Sequence, residues 1–316
     1  MQLSKCVALL LKRIRSIEEG KGMYALALEG GGALGAAHVG VLRALVEAEL
    51  IPEAISGTSA GAMAAATYAW RGRVADVEAL FEACHQLGHK LLDLDVRGIT
   101  VGLLDKVFRG KLTIQGLYRG DRLLRLMEEL TGGAALADAK VPLAVTAVDV
   151  VTEREVVFSS RFGRQQGVGH WITDATIAQA VRASTAIPGA FCPLHFWDMV
   201  LVDGGVVESL PATTLRRITS KPVLGVMLRS PREAKKAPGD VIGILMGSLG
   251  AMRRRLEMIE KHAAQSVLRV SVPAGIGVFS FERMEELVEI GYECARRALP
   301  RIKAELANTK LILKVP

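Results

Sequence analysis

Short apolar runs alternate with longer stretches of helical period from residue 23 onward. Residues 24–28 form a continuous apolar run, and a glycine-rich turn separates them from a helical pattern that extends to about residue 49. A second apolar run, residues 54–56, ends at Gly57. Strands that alternate with helices in this way predict a parallel sheet covered by helices, with functional groups at the carboxyl ends of the strands.

The same alternation continues to about residue 230. Residues 141–151 are almost uniformly apolar, which is typical of a buried central strand, and residues 156–158 follow as its hairpin partner. The other predicted elements are a helix-rich stretch over 73–140, a helix over 171–184, a short strand over 200–202 and a last strand over 223–228.

The pattern divides the chain into three parts. Residues 1–22 predict a basic amphipathic helix that packs on the domain or contacts a membrane, residues 23–230 an α/β domain, and residues 231–316 a helical, basic extension. Residues 91–112 mix apolar and basic side chains without a clean period, which indicates either a lid or substrate-groove segment or a variable insertion. The apolar stretch before Lys12 spans about six residues, too few for a secretory signal or a bilayer span, so we expect a cytoplasmic protein.

The net charge of +7 comes from the last third of the chain. Residues 212–316 contain 19 Lys and Arg against 10 Asp and Glu, whereas residues 1–211 contain 21 against 23. A basic face suits anionic phospholipid headgroups or nucleic acid, and it can also be a solvated surface. Because aromatic residues make up only 5% of the chain and no nucleic-acid module is present, we favour peripheral contact with an anionic membrane surface over nucleic acid.

The four cysteines carry no sign of a metal site. They lie far apart, without a CxxC pair or histidines at ligand spacing, at Cys6, Cys84, Cys192 and Cys294. This spacing argues against both a zinc site and a disulfide framework, and buried thiols are the simpler interpretation. We expect no metal.

The strongest chemical signal is the pentapeptide Gly57-Thr58-Ser59-Ala60-Gly61, which lies between a short strand and an alanine-rich helical run. A serine on so sharp a strand-to-helix turn is held in strained geometry, and small neighbours let the backbone fold tightly beneath it. The positive end of the following helix favours developing negative charge. Ser59 is therefore the candidate nucleophile, and Gly57, Thr58, Ala60 and Gly61 form the elbow around it.

A second motif, EGGGALG over residues 29–35, follows the first strand and opens a helix. Acyl transfer passes through a tetrahedral oxyanion, which needs backbone N–H donors without side-chain obstruction. Gly30, Gly31, Gly32 and Gly35 are the candidate oxyanion hole, with the amides of Gly31 and Gly32 as donors.

The same glycines satisfy the dinucleotide fingerprint G-x-G-x-x-G. That interpretation requires an acidic residue at the end of the second strand to bind ribose. The second strand instead runs straight into the elbow at Gly57, so the pentapeptide would occupy a cofactor site. We expect no NAD, FAD or other cofactor.

A candidate base is Asp203, which ends a short apolar strand and precedes Gly204 and Gly205. A carboxylate at a strand end could accept the serine proton directly, although Asp-Gly is also an ordinary turn dipeptide. The alternative base is a histidine. In α/β-hydrolase order it follows the acid, and only His262 follows Asp203, in a charged stretch that is typical of a solvated helix.

In these three motifs and in their order, the chain resembles the patatin-like phospholipase family. The stretches AHVGVLRAL over 37–45 and VRASTAIPGAF over 181–191 are similar as well, and the resemblance covers about residues 23–230. It implies a three-layer α/β/α fold with a mostly parallel central sheet, a Ser59–Asp203 dyad and lipid acyl esters as substrates. At Leu34 the family often has a basic residue, and this departure bears on headgroup preference more than on catalysis.

The sequence thus predicts a serine acyl hydrolase that cleaves lipid esters, in the manner of a phospholipase A or lysophospholipase, through an acyl-serine intermediate. Two other functions remain open. A lipid-responsive regulatory or scaffolding protein could keep the fold with little turnover, and an acyltransferase could pass the acyl group to an acceptor other than water.

Overall fold

The computed structural model describes residues 24–162, 169–229 and 239–308. Within them, nine strands form one sheet and two more form a small parallel sheet. The strands are β1 Ala25–Leu28, β2 Ala54–Gly57, β3 Gly116–Tyr118, β4 Leu143–Asp149, β5 Arg154–Ser159, β6 His170–Ile172, β7 Gly189–Phe191, β8 Leu194–Phe196, β9 Met199–Asp203, β10 Val223–Arg229 and β11 Ser266–Ser271. The α-helices are α1 Ala36–Glu47, α2 Ala60–Arg71, α3 Val74–Leu87, α4 Val96–Arg109, α5 Asp121–Thr131, α6 Ile177–Ser184, α7 Ala212–Ile218, α8 Val241–Glu260 and α9 Met284–Ala307.

The main sheet has the order β11-β10-β1-β2-β4-β5-β6, with β9 and β8 attached to β4. Strands β11, β10, β1, β2 and β4 all run parallel. Strand β5 turns back against β4, as the hairpin prediction required. The mostly parallel central sheet is thereby confirmed.

Strand β1 shows how the sheet is buried on both faces. Leu26 and Leu28 point into the larger core beneath α1, α2 and α9, whereas Ala25 and Ala27 point into a smaller core beneath α7. Successive side chains of a strand face opposite sides, so a strand that is apolar at every position separates two helical layers. The three-layer α/β/α architecture is confirmed.

Two segments add detail to the prediction. After residue 230 the described chain is mainly helical, as expected, and β11 in addition extends the main sheet beside β10. Residues 171–184 are not one helix: β6 comes first, and α6 begins after Thr176. The Thr176 hydroxyl accepts the Gln179 N–H at 3.1 Å and closes a capping box, which sets the start of the helix.

The ends and the 91–112 segment complete the description. The predicted N-terminal helix, residues 1–22, lies outside the described residues. Residues 91–112 contain α4, in which Gly102 is the only buried residue. In the part of the chain that the structure describes, no helix has both the length and the apolar character needed to cross a bilayer.

Candidate active site

The pentapeptide forms the turn between β2 and α2. Ser59 lies at its tip with φ 54° and ψ −122°, a positive-φ conformation that residues with side chains rarely adopt. Backbone packs directly beneath it: a Cβ at Gly61 would overlap the carbonyl oxygen of Leu28, and one at Gly57 would overlap the carbonyl of Gly61. The two glycines are therefore required for a turn this tight, and the turn holds Ser59 in its strained conformation.

Hydrogen bonds fix the elbow from both sides. The Ser59 N–H donates to Ser184 Oγ at 2.9 Å. The Thr58 hydroxyl donates to the carbonyl oxygen of Glu208 at 2.9 Å, so it accepts from the Thr146 hydroxyl, 2.6 Å away. The Ser59 amide and the Thr58 hydroxyl thus bond to three other parts of the chain, at Ser184, Thr146 and Glu208, and these contacts fix the position of Ser59.

Asp203 reaches the elbow on an antiparallel strand. β5 pairs with one edge of β4, and β2 and β9 both pair with the other edge. Along that edge β2 ends at Gly57, opposite Val145, and β9 ends at Asp203, opposite Ala147. The carboxyl ends of β2 and β9 therefore meet head to head. The structure brings Asp203 and Ser59 together, but by antiparallel pairing and not by the parallel-strand rule that suggested this aspartate.

The Asp203 side chain is buried and hydrogen-bonded. Its Oδ1 accepts the Gly205 N–H at 2.8 Å, and the Ser59 hydroxyl donates to the carboxylate. Burial raises the pKa of Asp203 to about 6, while these hydrogen bonds and the positive charge of Arg253 oppose the rise. At neutral pH the group is therefore mostly a carboxylate, with a higher proton affinity than an exposed aspartate.

The glycine segment passes directly over the elbow, but its members differ in role. The Gly30 N–H donates to the carbonyl oxygen of Ser209 at 3.2 Å. This amide is therefore not free to bind an oxyanion, although Gly30 was expected to be part of the hole. The amides of Gly31 and Gly32 have no acceptor among the described residues. Gly32 has φ +58°, and a Cβ there would overlap the carbonyl oxygen of Val278, so only glycine fits.

Gly35 has a packing role. A Cβ at Gly35 would lie 2.5 Å from Ala60 Cβ, which shows how closely the glycine segment lies against the first residue of α2. A Cβ at Gly30 would similarly lie 3.1 Å from Ser59 Cβ. Both glycines therefore allow the close approach of the segment to the elbow, instead of supplying donors.

Glu29, just before the glycines, holds the segment in place. Its carbonyl oxygen accepts His38 Nε2–H at 2.8 Å, and its carboxylate accepts the Leu228 N–H at 2.6 Å. His38 is fully buried, and burial lowers its pKa to about 4, so the ring is neutral at pH 7. His38 thus supports the backbone of the glycine segment and is not a proton acceptor for Ser59.

Comparison with known families identifies the fold that carries this site. The sequence model described as patatin-like phospholipase matches residues 26–216, more than half of the chain, and this range contains the elbow, the glycine segment and Asp203. The chain belongs to the patatin-like phospholipase family.

Several proteins are similar to the patatin-like chain. It is 27% identical over 297 residues to an uncharacterised NTE family protein of Mycobacterium tuberculosis, covering 87% of this chain and 46% of that protein. It is 30% identical over 219 residues to the uncharacterised protein YqhO of Bacillus subtilis, covering 66% and 71%. The lysophospholipase NTE1 of Pyricularia oryzae is 22% identical over 310 residues, covering 89% and 18%.

The chain therefore spans about half the length of the first curated relatives that it matches. Among solved structures, VipD from Legionella pneumophila is similar with a TM-score of 0.49 and 16% identity, covering 89% of this chain and 67% of that one.

Residues beyond the matched range complete the patatin-like site. Arg253 of α8 donates to the Gly30 carbonyl oxygen at 3.3 Å and pairs with Glu257 at 3.1 Å. Glu257 also pairs with Arg229 at 2.9 Å, and both arginines lie within 4.0 Å of the Glu29 carboxylate. These four side chains, Glu29, Arg229, Arg253 and Glu257, form a clamp that joins α8 to the start of the glycine segment.

The clamp carries surplus positive charge. Burial, together with the neighbouring Glu257 carboxylate, raises the pKa of Glu29 to about 8, against the opposing effect of Arg253. Glu29 is therefore mostly protonated at pH 7, and the two arginines face one carboxylate. A positive potential beside the glycine segment favours an anion there.

The two candidate catalytic side chains of the patatin-like site are buried. Ser59 and Asp203 each retain only 7% of their exposure. A cavity of about 960 Å³ adjoins the site at Val207 and Glu208, but Ser59 is not among its lining residues. Helix α8 contacts the glycine segment through Arg253 and Gly30, and Val278 packs on the same segment at Gly32.

All six histidines lie in the described residues, and none hydrogen-bonds Ser59 or Asp203. His262 is exposed in the turn after α8. Sequence reasoning missed Ser184 and Arg253. Ser184 falls in the 181–191 stretch that resembles the family, so it had a signal; Arg253 was one of three consecutive arginines and had none.

Proposed function

We propose that this chain hydrolyses acyl esters of lipids through an acyl-enzyme formed on Ser59. The proposal rests on one observation: the hydroxyl of a serine in a strained elbow is hydrogen-bonded to a buried carboxylate, beside two amides that no acceptor occupies within the ranges that the structure describes. Ser59 is the nucleophile, Asp203 the base, and the amides of Gly31 and Gly32 the oxyanion donors. Family membership and the lysophospholipase name of one distant relative support phospholipid esters as the substrate class.

Acylation begins when Ser59 Oγ attacks the acyl carbonyl carbon. Asp203 accepts the hydroxyl proton as the new carbon–oxygen bond forms, and the carbonyl oxygen becomes an oxyanion that the two amides stabilise. When the intermediate collapses, the bond from the carbon to the alcohol oxygen breaks and the proton passes from Asp203 to that oxygen.

Deacylation repeats these steps with water. Asp203 accepts a proton from the attacking water, and the collapsing intermediate releases the fatty acid while Ser59 regains its proton. A base with a pKa of about 6 suits this cycle, because it is mostly ionised at pH 7 and yet returns a proton readily.

Replacement of the nucleophile tests the proposal directly. Ser59→Ala should lower fatty-acid release from a panel of phospholipids and lysophospholipids by at least about a thousandfold, because no other group replaces the hydroxyl. Released acids are identified by mass spectrometry. Ser248→Ala, which changes an exposed serine of α8, is the matched control and should keep full activity.

A fluorophosphonate probe distinguishes the remaining functions. Wild-type protein should be labelled and Ser59→Ala should not. Turnover retained in Ser59→Ala would refute the nucleophile, and wild-type protein that stays unlabelled would support the scaffolding function instead. Acyl transfer to an added alcohol in preference to water would support the acyltransferase.

A further inference from the structure

Helix α4 is attached to the domain by one small residue. Gly102, its only buried residue, packs so closely against Ile114 that a Cβ on Gly102 would lie 2.6 Å from Ile114 Cγ1. Leu104 and Val107 lie about 200° and 140° around the helix from Gly102, so they face away from the protein. Val107 is 77% exposed and Phe108 is 80% exposed. Other large apolar side chains exposed on this helix are Val96, Val101 and Leu103.

Helix α8 has the same character over residues 244–252. Ile244, Leu245 and Met252 are all exposed. Among the described side chains of α8, only Glu257 and Glu260 are buried. The helix is therefore held largely by polar contacts, and Ile244, Leu245 and Met252 remain largely exposed to solvent.

Both helices are anchored near the small sheet of β3 and β7. Ile114, which contacts α4, lies two residues before Gly116, and Gly116 pairs with Gly189. Leu245 of α8 lies against Gly189, where a Cβ would be 2.9 Å from its Cδ2. With about 3.3 Å per residue along a strand and about 4.8 Å between strands, these anchoring points lie within roughly 15 Å of each other.

This surface borders the candidate active site. The Ala186 carbonyl oxygen, three residues before Gly189, accepts the Asp203 N–H at 3.0 Å. On the other side, Arg253 of α8 contacts Gly30 at 3.3 Å. The exposed apolar side chains of α4 and α8 therefore lie on elements that border Asp203 and the glycine segment.

Exposed basic side chains accompany the apolar ones. Arg97 and Lys111 lie near the two ends of α4, and Arg254 and Arg255 lie on α8; none of the four has an ion pair with a described residue. A second copy of this chain would set these charges against like charges. An anionic bilayer would complement them and would also accept the apolar side chains.

We propose that this docking face binds the surface of an anionic phospholipid bilayer and holds the active site against its substrate. The docking face consists of the exposed apolar side chains of α4 and of residues 244–252 of α8, with Arg97, Lys111, Arg254 and Arg255. The choice of lipid as the partner rests on the proposed function.

Vesicle binding of the full chain tests the docking face. All proteins carry Ser59→Ala so that the lipid stays intact, and co-sedimentation is measured with phosphatidylcholine vesicles containing about a third phosphatidylglycerol. Val107→Ser/Phe108→Ser should weaken binding at least about tenfold, because two apolar side chains stay in water. Arg97→Gln/Arg255→Gln should weaken binding to these vesicles and remove most of its salt dependence.

Phe162→Ser is the matched control. Phe162 is 67% exposed but lies just after β5, near Leu143 at the amino end of β4, away from Ser59. It should bind vesicles like the wild type. Circular dichroism should show unchanged folding in every variant, since all the altered side chains are exposed.

The outcomes separate the two proposals. Equal binding by Val107→Ser/Phe108→Ser and wild type, or an equal loss in Phe162→Ser, would overturn the docking face. So would a wild-type dimer in light scattering that Val107→Ser/Phe108→Ser converts to a monomer, because a second copy would then occupy the face. Hydrolysis of a water-soluble short-chain ester, with Ser59 restored, should be unchanged by Val107→Ser/Phe108→Ser; if wild type shows no hydrolysis of any ester but binds as expected, only the proposed function fails.

Discussion

The elbow and helix α8 lie against the same glycine segment but are fixed by different forces. At the elbow, backbone packs on backbone, and Gly57 and Gly61 leave no space beneath Ser59. Helix α8 is held by the charged clamp, and its side chains Ile244, Leu245 and Met252 are exposed. Close-packed backbone cannot yield, whereas the clamp depends on side chains whose arginines are 31% and 30% exposed. The difference indicates a centre held rigidly by its backbone, beside a helix held by side-chain contacts.

The largest effect is expected inside the rigid centre. Asp203→Asn keeps the shape of the side chain but removes its ability to accept a proton, so kcat on a water-soluble ester should fall by about a thousandfold. The exposed Asp198, in the turn before β9, offers a matched control, and Asp198→Asn should retain kcat. Comparable turnover in Asp203→Asn and wild type would exclude Asp203 as the base.

The pH dependence follows from the same residue. Its pKa of about 6 means that Asp203 is protonated and inactive below that pH and ionised above it, so the wild-type rate should rise through about pH 6 and then level off. Initial rates on the soluble ester between pH 4.5 and pH 8 measure this, with the pH values chosen to bracket about two units on either side of the pKa. A profile with no inflection between about pH 5 and pH 7 would contradict the assignment.

Two glycine replacements compare the regions directly. Gly61→Ala would place a methyl group on the carbonyl oxygens of Leu28 and Glu29, neither of which can move, so the free energy of unfolding should fall by about 3 kcal/mol. Gly247→Ala, in the interior of α8, meets nothing within 4 Å and should raise it by up to about 1 kcal/mol through helix propensity. Urea unfolding measures both. Similar losses in the two variants would show that α8 is packed as tightly as the elbow.

The same contrast explains what the sequence could and could not predict. Gly57 and Gly61 act on neighbouring backbone, so their spacing alone marks the turn and Ser59. The clamp contact between Arg253 and Gly30 spans 223 residues, and nothing local distinguishes Arg253 from the arginines that follow it. Long-range pairing, which a single sequence does not encode in any short pattern, decides such contacts.

Asp203 and α4 show two intermediate cases. The Asp-Gly-Gly motif drew attention to Asp203, but its approach to Ser59 depends on antiparallel pairing of β9 with β4. The missing helical period over residues 91–112 has a physical cause. Helix α4 buries only Gly102, so it has no buried apolar face that would repeat with the helical period. Strand β11 escaped prediction because Ser266, Arg269 and Ser271 interrupt its apolar residues, so it lacks the continuous apolar run that marked the other strands.

The clamp itself allows a last comparison, between its two acidic members. Because Glu29 is mostly protonated beside the Glu257 carboxylate, the pair holds roughly one negative charge for the two arginines. Burial is the main cause of the raised pKa of Glu29, and the charge of Glu257 adds to it. In Glu257→Gln this second cause is gone, so the pKa of Glu29 falls and Glu29 offers more negative charge to the arginines. In Glu29→Gln, Glu257 still pairs with Arg229 and Arg253.

Each single replacement should therefore cost about 1 kcal/mol or less in the free energy of unfolding, since a carboxylate still faces Arg229 and Arg253. Glu29→Gln/Glu257→Gln leaves both arginines without a carboxylate and should cost about 2 kcal/mol more than the sum of the singles. That excess is below the cost for a fully buried pair because the arginine side chains are 31% and 30% exposed. Urea unfolding of the three variants gives the coupling energy, and the exposed pair of Glu286 with Arg283 supplies a control in Glu286→Gln. Strictly additive losses would mean that the two glutamates do not compensate for each other, and the positive charge assigned to the clamp would then be wrong.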